Sequence, residues 1–362
     1  MKLILDDGSE FSGSSAGVPR AVAGEVVFNT GMTGYVEALT DPSYRGQILV
    51  LTYPLVGNYG VPGPRAADSL DRPYESSQIQ VQGLVVQHMI HDYSHHSAER
   101  SLADWLASEN VPYISGVDTR TLTRKLREQG TMLGRLLPAE ETGQDVQYDS
   151  VDMEDELFRL VAPPEAVVYP GGDLRVLLID VGCKDNIARS LLQRGVTVVR
   201  VPWFDDLQEH VAQADGIVIG NGPGNPKHLT SLIEQLSTVL QQFDKPVFGI
   251  CLGHQILALA AGADTFKLPY GHRSVNQPVE DQLTRRYYIT SQNHGYAVDD
   301  HSLPGDWEPW FVNINDGTNE GIRSLRKPYF SVQFHPESHP GPKDTAFLFD
   351  DFVRQVGAFA RP

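Results

Sequence analysis

Two short segments carry side chains whose types and spacing could do covalent chemistry. The first is Val247-Phe248-Gly249-Ile250-Cys251-Leu252-Gly253-His254-Gln255, a cysteine with glycine two residues before it and two after. An apolar run follows Pro246, and Ile256, Leu257, Ala258 and Leu259 continue as a helix, so Cys251 stands where strand turns to helix. A turn that sharp leaves no room for flanking side chains larger than hydrogen. The helix N-terminus favours thiolate over thiol and offers backbone N–H groups to a developing oxyanion. The competing reading is a buried, inert cysteine, since free cysteine is among the most buried residue types. Both glycines, together with the strand-to-helix switch, favour the nucleophile.

The second segment is His335-Pro336-Glu337, which follows the apolar run Tyr329–Phe334. Alternate residues of an extended chain point the same way, so His335 and Glu337 can share one face. A carboxylate beside an imidazole fixes its tautomer and supports imidazolium, which gives a Cys251–His335–Glu337 triad. Alone, His next to an acid is a weak signal. Other histidines fit less well: His254 falls in the first turn of the elbow helix and reads as packing, and His272 and His294 lack a paired carboxylate nearby. His88, His91, His95 and His96 lie close together, but they sit among Asp92, Tyr93, Ser94 and Ser97 with no zinc spacing, so a solvated loop is expected and no metal.

A third segment, Gly220-Asn221-Gly222-Pro223-Gly224-Asn225-Pro226, follows the apolar run Gly216–Ile219. It lacks the Gly-Lys-Ser/Thr ending of a phosphate loop, and its prolines remove N–H donors. A rigid glycine-bearing turn beside a nucleophile suits an oxyanion hole or a bound substrate backbone. A plain tight turn remains the alternative.

These segments need a scaffold. Apolar strands are expected at 175–180, 196–201, 216–219 and 246–250, with helices at 187–193 and 229–242. That alternation predicts a doubly wound, mostly parallel α/β sheet whose sites form beyond the carboxyl ends of its strands. The N-terminal half reads as a mixed, strand-rich α/β domain. It has a hairpin around Asp6-Asp7-Gly8-Ser9, strands at 25–29, 47–51 and 83–86, and helices at 98–107 and from Asp118-Thr119 to Gly130. Between them the composition turns acidic and proline-bearing. The expected division is therefore 1–140, a linker at 141–173 with one short helix near 154–160, and 174–362.

Composition narrows the function classes. The 362 residues hold 29 Lys plus Arg against 46 Asp plus Glu, a net charge of −17, which argues against nucleic acid or an anionic membrane as main partner. No apolar run approaches the roughly 20 residues of a membrane span. Two cysteines, Cys183 and Cys251, are too few for a disulfide framework, and no signal peptide is legible, so a cytoplasmic location is expected.

The elbow, the Asn221-Gly222-Pro223-Gly224 loop and Phe334-His335-Pro336-Glu337, in that arrangement, resemble class I (triad-type) glutamine amidotransferases. Asn29-Thr30-Gly31-Met32-Thr33-Gly34-Tyr35, Thr40-Asp41-Pro42-Ser43-Tyr44, Leu51-Thr52-Tyr53-Pro54 and Asp118-Thr119-Arg120 are similar to the small, glutamine-hydrolysing subunit of carbamoyl phosphate synthetase. The resemblance covers nearly the whole chain and implies a flavodoxin-like C-terminal domain. It also implies thioester chemistry at Cys251 with His335 and Glu337, and oxyanion donors at Leu252, Gly222 and Gly224. Glutamine would be held by Ser43, Gln255, Asn293, Gly295 and Tyr296, with Ser43 reaching in from the other domain. No cofactor is implied for this chain. ATP and Mg would belong to a large partner subunit that combines ammonia with bicarbonate for arginine or pyrimidine synthesis, in a heterodimer or a higher oligomer of heterodimers.

Asn225 stands where the family commonly has Asp and Tyr296 where Phe is common, and Gly271–Asn276 is a variable loop; none touches the triad. Amidotransferases of anthranilate or guanylate synthesis resemble only the C-terminal half. A free-standing cysteine hydrolase would not call for the Asn-Gly-Pro-Gly loop. A non-catalytic scaffold subunit would not need an intact triad.

Overall fold

The computed structural model describes residues 1–63, 70, 73–141, 154–339 and 341–360, and the chain divides into two compact units, Met1–Met153 and Glu154–Pro362. Of the expected linker, 142–153 lies outside the described residues. No helix among the described residues is long and apolar enough to cross a membrane.

The first unit is built on a seven-stranded mixed sheet in the order Glu10–Ser12, Lys2–Leu5, Met132–Leu137, Val22–Asn29, Gln47–Leu51, Gly83–Val86, Tyr113–Ser115. The last four are mutually parallel and need crossovers; the others pair antiparallel, Lys2–Leu5 with Glu10–Ser12 as a hairpin and Met132–Leu137 returning late in the unit to lie between Lys2–Leu5 and Val22–Asn29. Helices Leu102–Ser108 and Thr119–Gln129 begin at Ser101 and Asp118, whose side chains accept the N–H groups of Asp104 and Thr121. Val27, Leu49, Leu84, Trp105 and Tyr113 meet in one buried core.

The second unit carries a ten-stranded sheet. Its centre is five parallel strands in the order Thr197–Pro202, Arg175–Asp180, Gly216–Ile219, Val247–Ile250, Tyr329–Val332. Numbered along the chain, that order is 2-1-3-4-5, the flavodoxin-like winding. Both faces are covered, which is why these strands read as unbroken apolar runs. On one face Leu232, Leu236 and Val239 of the helix Thr230–Gln242 join Ile217 and Val247. On the other, Phe248 stacks near Phe330 (4.7 Å between centroids) and Phe352 (5.8 Å) of the helix Phe347–Ala360. Each buried ring contributes roughly 2–3 kcal/mol over an exposed one.

Two parts differ from the sequence expectation. Residues 154–173 are not a free connector: the helix Glu154–Arg159 buries Phe158 against Trp203, and Val167–Tyr169 pairs antiparallel with Thr197–Pro202 at the sheet edge. The other edge continues antiparallel through Asn319–Ser324, Trp307–Asn313, Thr265–Asp281 and Tyr287–Val298. This long hairpin is broken in sequence by Pro269, Gly271 and Pro278, which hide its strand pattern.

Candidate active site

Four adjacent parallel strands deliver the site at their carboxyl ends. Cys251 follows Val247–Ile250 and caps the helix Leu252–Ala261 with φ of 55° and ψ of −106°, a conformation costly for any side-chain-bearing residue. The strain is held in place from both sides. The Cys251 N–H donates to Val332 O at 2.9 Å, and its carbonyl accepts from the His254 N–H at 3.1 Å. A Cβ on Gly249 would sit 2.6 Å from Gly253 O, and one on Gly253 only 2.1 Å from Ile219 O, so both glycines exist for close backbone approach.

His335 and Glu337 follow Tyr329–Val332. They do not share the face of an extended strand as the sequence suggested. The chain turns, with Ser338 N–H donating to His335 O, and the turn brings Nδ1 of His335 to 2.7 Å from Glu337 Oε1. Both side chains are buried. Burial and Lys184 press the imidazole toward neutral, yet Glu337 and Cys251 outweigh them and lift its pKa to about 10. Burial alone would raise the Glu337 pKa, but Lys184 and His335 hold it at about 2. His335 Nε2, the atom that must handle the proton, makes no hydrogen bond of normal length, although the Cys251 sulfur is near enough to raise the ring's pKa. A loose nucleophile–base contact of this kind is usual before substrate arrives.

The remaining walls come from the 220–226 loop and the strand Tyr287–Val298. A Cβ on Gly222 would meet Val181 O at 2.1 Å and Leu252 Cδ2 at 2.9 Å, so the loop lies against the elbow. Gly224 has φ of +80° and lies over Leu157 and Phe158. Asn293 presents its carbonyl 3.6 Å from Cys251 Sγ. The Gln255 amide donates to Tyr296 O and to Gln333 Oε1, each at 2.9 Å, tying the elbow helix to that strand. Gly295 lies beside the Arg273 guanidinium. Ser43 is in the first unit, buried in the turn Pro42–Tyr44 with its N–H on Asp41 Oδ1.

Comparison with known proteins gives the site its family. One family profile, glutamine amidotransferase class-I, matches residues 177–355, and another, carbamoyl-phosphate synthase small chain, CPSase domain, matches residues 3–136. The carbamoyl phosphate synthase arginine-specific small chain of Phaeosphaeria nodorum is 47% identical over 97% of this chain and 75% of its own. The chain belongs to the carbamoyl phosphate synthase small-chain family. Longer relatives include the multifunctional protein pyr-3 of Neurospora crassa (47% identical, 98% of this chain, 21% of that protein). The mitochondrial carbamoyl-phosphate synthase (ammonia) of Aquarana catesbeiana is 47% identical over 98% of this chain and 24% of its own. The chain spans 17–24% of the length of five such longer relatives.

In this small chain the residue that sequence reasoning missed is Lys184. Asp180, at the end of its strand, accepts the N–H groups of Gly182 (2.7 Å) and Cys183 (2.6 Å) and the Arg200 guanidinium, which folds 181–184 into a tight loop. Asn221 Oδ1 then takes the Lys184 N–H at 2.8 Å, and the ammonium reaches Glu337 Oε1 at 3.2 Å. Asn186 also holds the Glu337 carbonyl. The only sequence signal was position, a polar residue just past a parallel strand.

The histidines sort clearly. His254 is fully buried with Nδ1 on Ser331 Oγ at 2.8 Å, and burial lowers its pKa to about 3. His88, His91, His95 and His96 all stand exposed, and His95 turns onto Ser97 Oγ. His272 corrects the sequence reading: its ring has two carboxylate neighbours, Asp316 Oδ2 at 2.8 Å and Glu320 Oε1 at 3.4 Å, both distant in the chain. Among the described residues, His272, His294 and Glu320 bring ligand-type atoms within 4.8 Å of one another. Both nitrogens of each ring are already engaged by protein groups.

Gly253→Ala is expected to destabilise this unit by at least about 3 kcal/mol, since the clash is with backbone that cannot swing away. Chemical denaturation reads it. An unchanged midpoint would mean that the elbow is not this tight.

Proposed function

We propose that this chain is the glutaminase subunit of a carbamoyl phosphate synthetase. Cys251 thiolate attacks the side-chain amide carbon of glutamine, and the oxyanion forms against the backbone N–H groups of Leu252 and of the loop carrying Gly222 and Gly224. The His335 imidazolium gives its proton to the departing nitrogen, leaving ammonia and a glutamyl thioester. Water then attacks the thioester with neutral His335 taking its proton, which frees glutamate and restores the thiolate–imidazolium pair. Glu337 orients His335 and keeps it charged for the first step, and Lys184 keeps Glu337 ionised. Asn293, Gly295 and Tyr296 form the wall for the amino-acid end of glutamine, braced by Gln255.

Ammonia is consumed by a large ATP- and Mg-using partner, together with bicarbonate. Its transfer must be sheltered, because ammonia in water is protonated and ceases to be a nucleophile. The observation that carries this reading is the buried Cys251, His335, Glu337 and Lys184 array at neighbouring strand ends.

The relative named for ammonia raises a second reading, a domain retained without glutamine use. Covalent labelling separates the two. An electrophilic glutamine analogue should modify Cys251 alone, with excess glutamine protecting it, and glutamate should appear in step with carbamoyl phosphate. Modification of Cys183 instead, or of neither cysteine, would favour the ammonia-only reading.

A further inference from the structure

The strand Tyr287–Val298, which carries Asn293, Gly295 and Tyr296, does not pair evenly with its neighbour. Thr265–Lys267 pairs with Tyr296–Val298, the register then slips, and pairing resumes only at His272 opposite His294, Arg273 opposite Asn293 and Ser274 opposite Gln292. Between Lys267 and His272 no ladder pairing carries the register across, so side-chain contacts contribute to where it resumes. Where it resumes matters, because that point sets which atoms face Cys251, Asn293 O among them at 3.6 Å from Sγ.

His272 is the first residue after the slip, and its side chain is clamped. Nε2 is 2.8 Å from Asp316 Oδ2 and Nδ1 is 3.4 Å from Glu320 Oε1, and the His294 ring meets it edge-on at 4.9 Å between centroids. The clamp is anchored in turn: Asn313 donates to Glu320 Oε1 at 2.8 Å, and Thr318 donates to Asp316 Oδ1 through Oγ1 at 2.8 Å and its N–H at 3.1 Å. On the other side His294 spans its own strand, with Nδ1 2.8 Å from Tyr296 O and Nε2 3.2 Å from Gln292 Oε1. Gly271 completes the fit, since a Cβ there would lie 2.2 Å from His294 O.

We propose that His272 is a positioning residue for glutamine binding: by pairing with Asp316 and Glu320 it locks the resumed register of the hairpin, and so sets the placement of Asn293, Gly295 and Tyr296 at the mouth of the Cys251 site. Charge supports the geometry. Burial would neutralise His272, but Asp316 and Glu320 lift its pKa to about 9, while burial, His272 and Arg273 keep His294 neutral. The inference rests on the glutaminase reading and adds to it a residue outside the triad.

The test uses the full chain with its synthetase partner. His272→Ala should raise the KM for glutamine about ten- to hundredfold, the scale on which misplaced binding groups act. It should leave kcat within a few-fold, and the rate at which iodoacetamide alkylates Cys251 should not change. His272→Gln, whose amide can still reach Asp316, should recover part of the affinity, and it decides the matter if the alanine variant does not fold. An unchanged KM in the folded variant overturns the proposal. So does a parallel fall of KM-dependent rate, kcat and alkylation in step with thermal stability, which marks a merely structural role. Failure of the glutaminase reading looks different: the unsubstituted chain would then hydrolyse no glutamine at all.

Discussion

Replacing Cys251 with alanine is expected to reduce glutamine-dependent carbamoyl phosphate synthesis by about 10⁴-fold or more, the scale seen when a covalent nucleophile is removed from a triad. On the proposed reading, synthesis from added ammonium salt should be untouched, because the partner would need only ammonia from this site. The alanine variant should fold like the parent, because alanine keeps the same Cβ at φ of 55° and the turn is still held by Gly249 and Gly253. Parallel assays with glutamine and with ammonium, on the same preparation, read the split. Equal loss with both nitrogen sources would mean that Cys251 supports the assembly rather than the hydrolysis. Retention of glutamine use would remove the nucleophile from the mechanism altogether.

Glu337→Gln is expected to be nearly as damaging, lowering kcat for glutamine by about 10²–10⁴-fold by analogy with loss of a triad acid. The amide preserves shape and can still accept from His335 Nδ1. What it removes is the charge that overrides burial and Lys184, the two influences that press the imidazole toward neutral. The sign is clear. In the parent the folded pKa of about 10 exceeds the ordinary histidine value near 6.5, so the pair's contribution is complete below about pH 6.5 and is lost as pH rises through 10. The parent should therefore keep its proton donor across the physiological range, with an alkaline fall near pH 10. In Glu337→Gln that fall should move well toward neutral pH. The variant also leaves the Lys184 ammonium without its carboxylate, so adding Lys184→Met should restore stability but not rate. A pH–kcat profile with its alkaline limb unmoved would show that Glu337 does not set the charge of His335.

What the sequence disclosed follows from physics. Val247–Ile250 and its parallel neighbours were legible because a sheet covered on both faces writes itself as continuous apolar residues. Cys251 was legible because the two glycines that make its turn possible lie two residues away. His335 and Glu337 were paired correctly but for an inexact reason, since a turn rather than strand alternation joins them. Where partners are remote in sequence, local reasoning had nothing to grip. Lys184 meets Glu337 from 153 residues away. His272 looked unpartnered because its carboxylates arrive from another hairpin. The strand Thr265–Asp281 was unread because Pro269, Gly271 and Pro278 punctuate it as if it were loop, when Pro269 and Gly271 mark a slip in the ladder and Pro278 pairs with Ile289 within it.

Gly224 rests on Leu157 and Phe158, and Phe158 in turn is pinned by Trp203. The stiffness of the 220–226 loop is thus borrowed from a segment that precedes the first parallel strand and reads in the sequence as mere connector. Anyone grafting this second unit onto another protein would be tempted to cut at Leu174, where the apolar strands begin. That cut would strip the floor from beneath the loop while leaving every triad residue in place. A transplant that starts at Glu154 carries its own foundation.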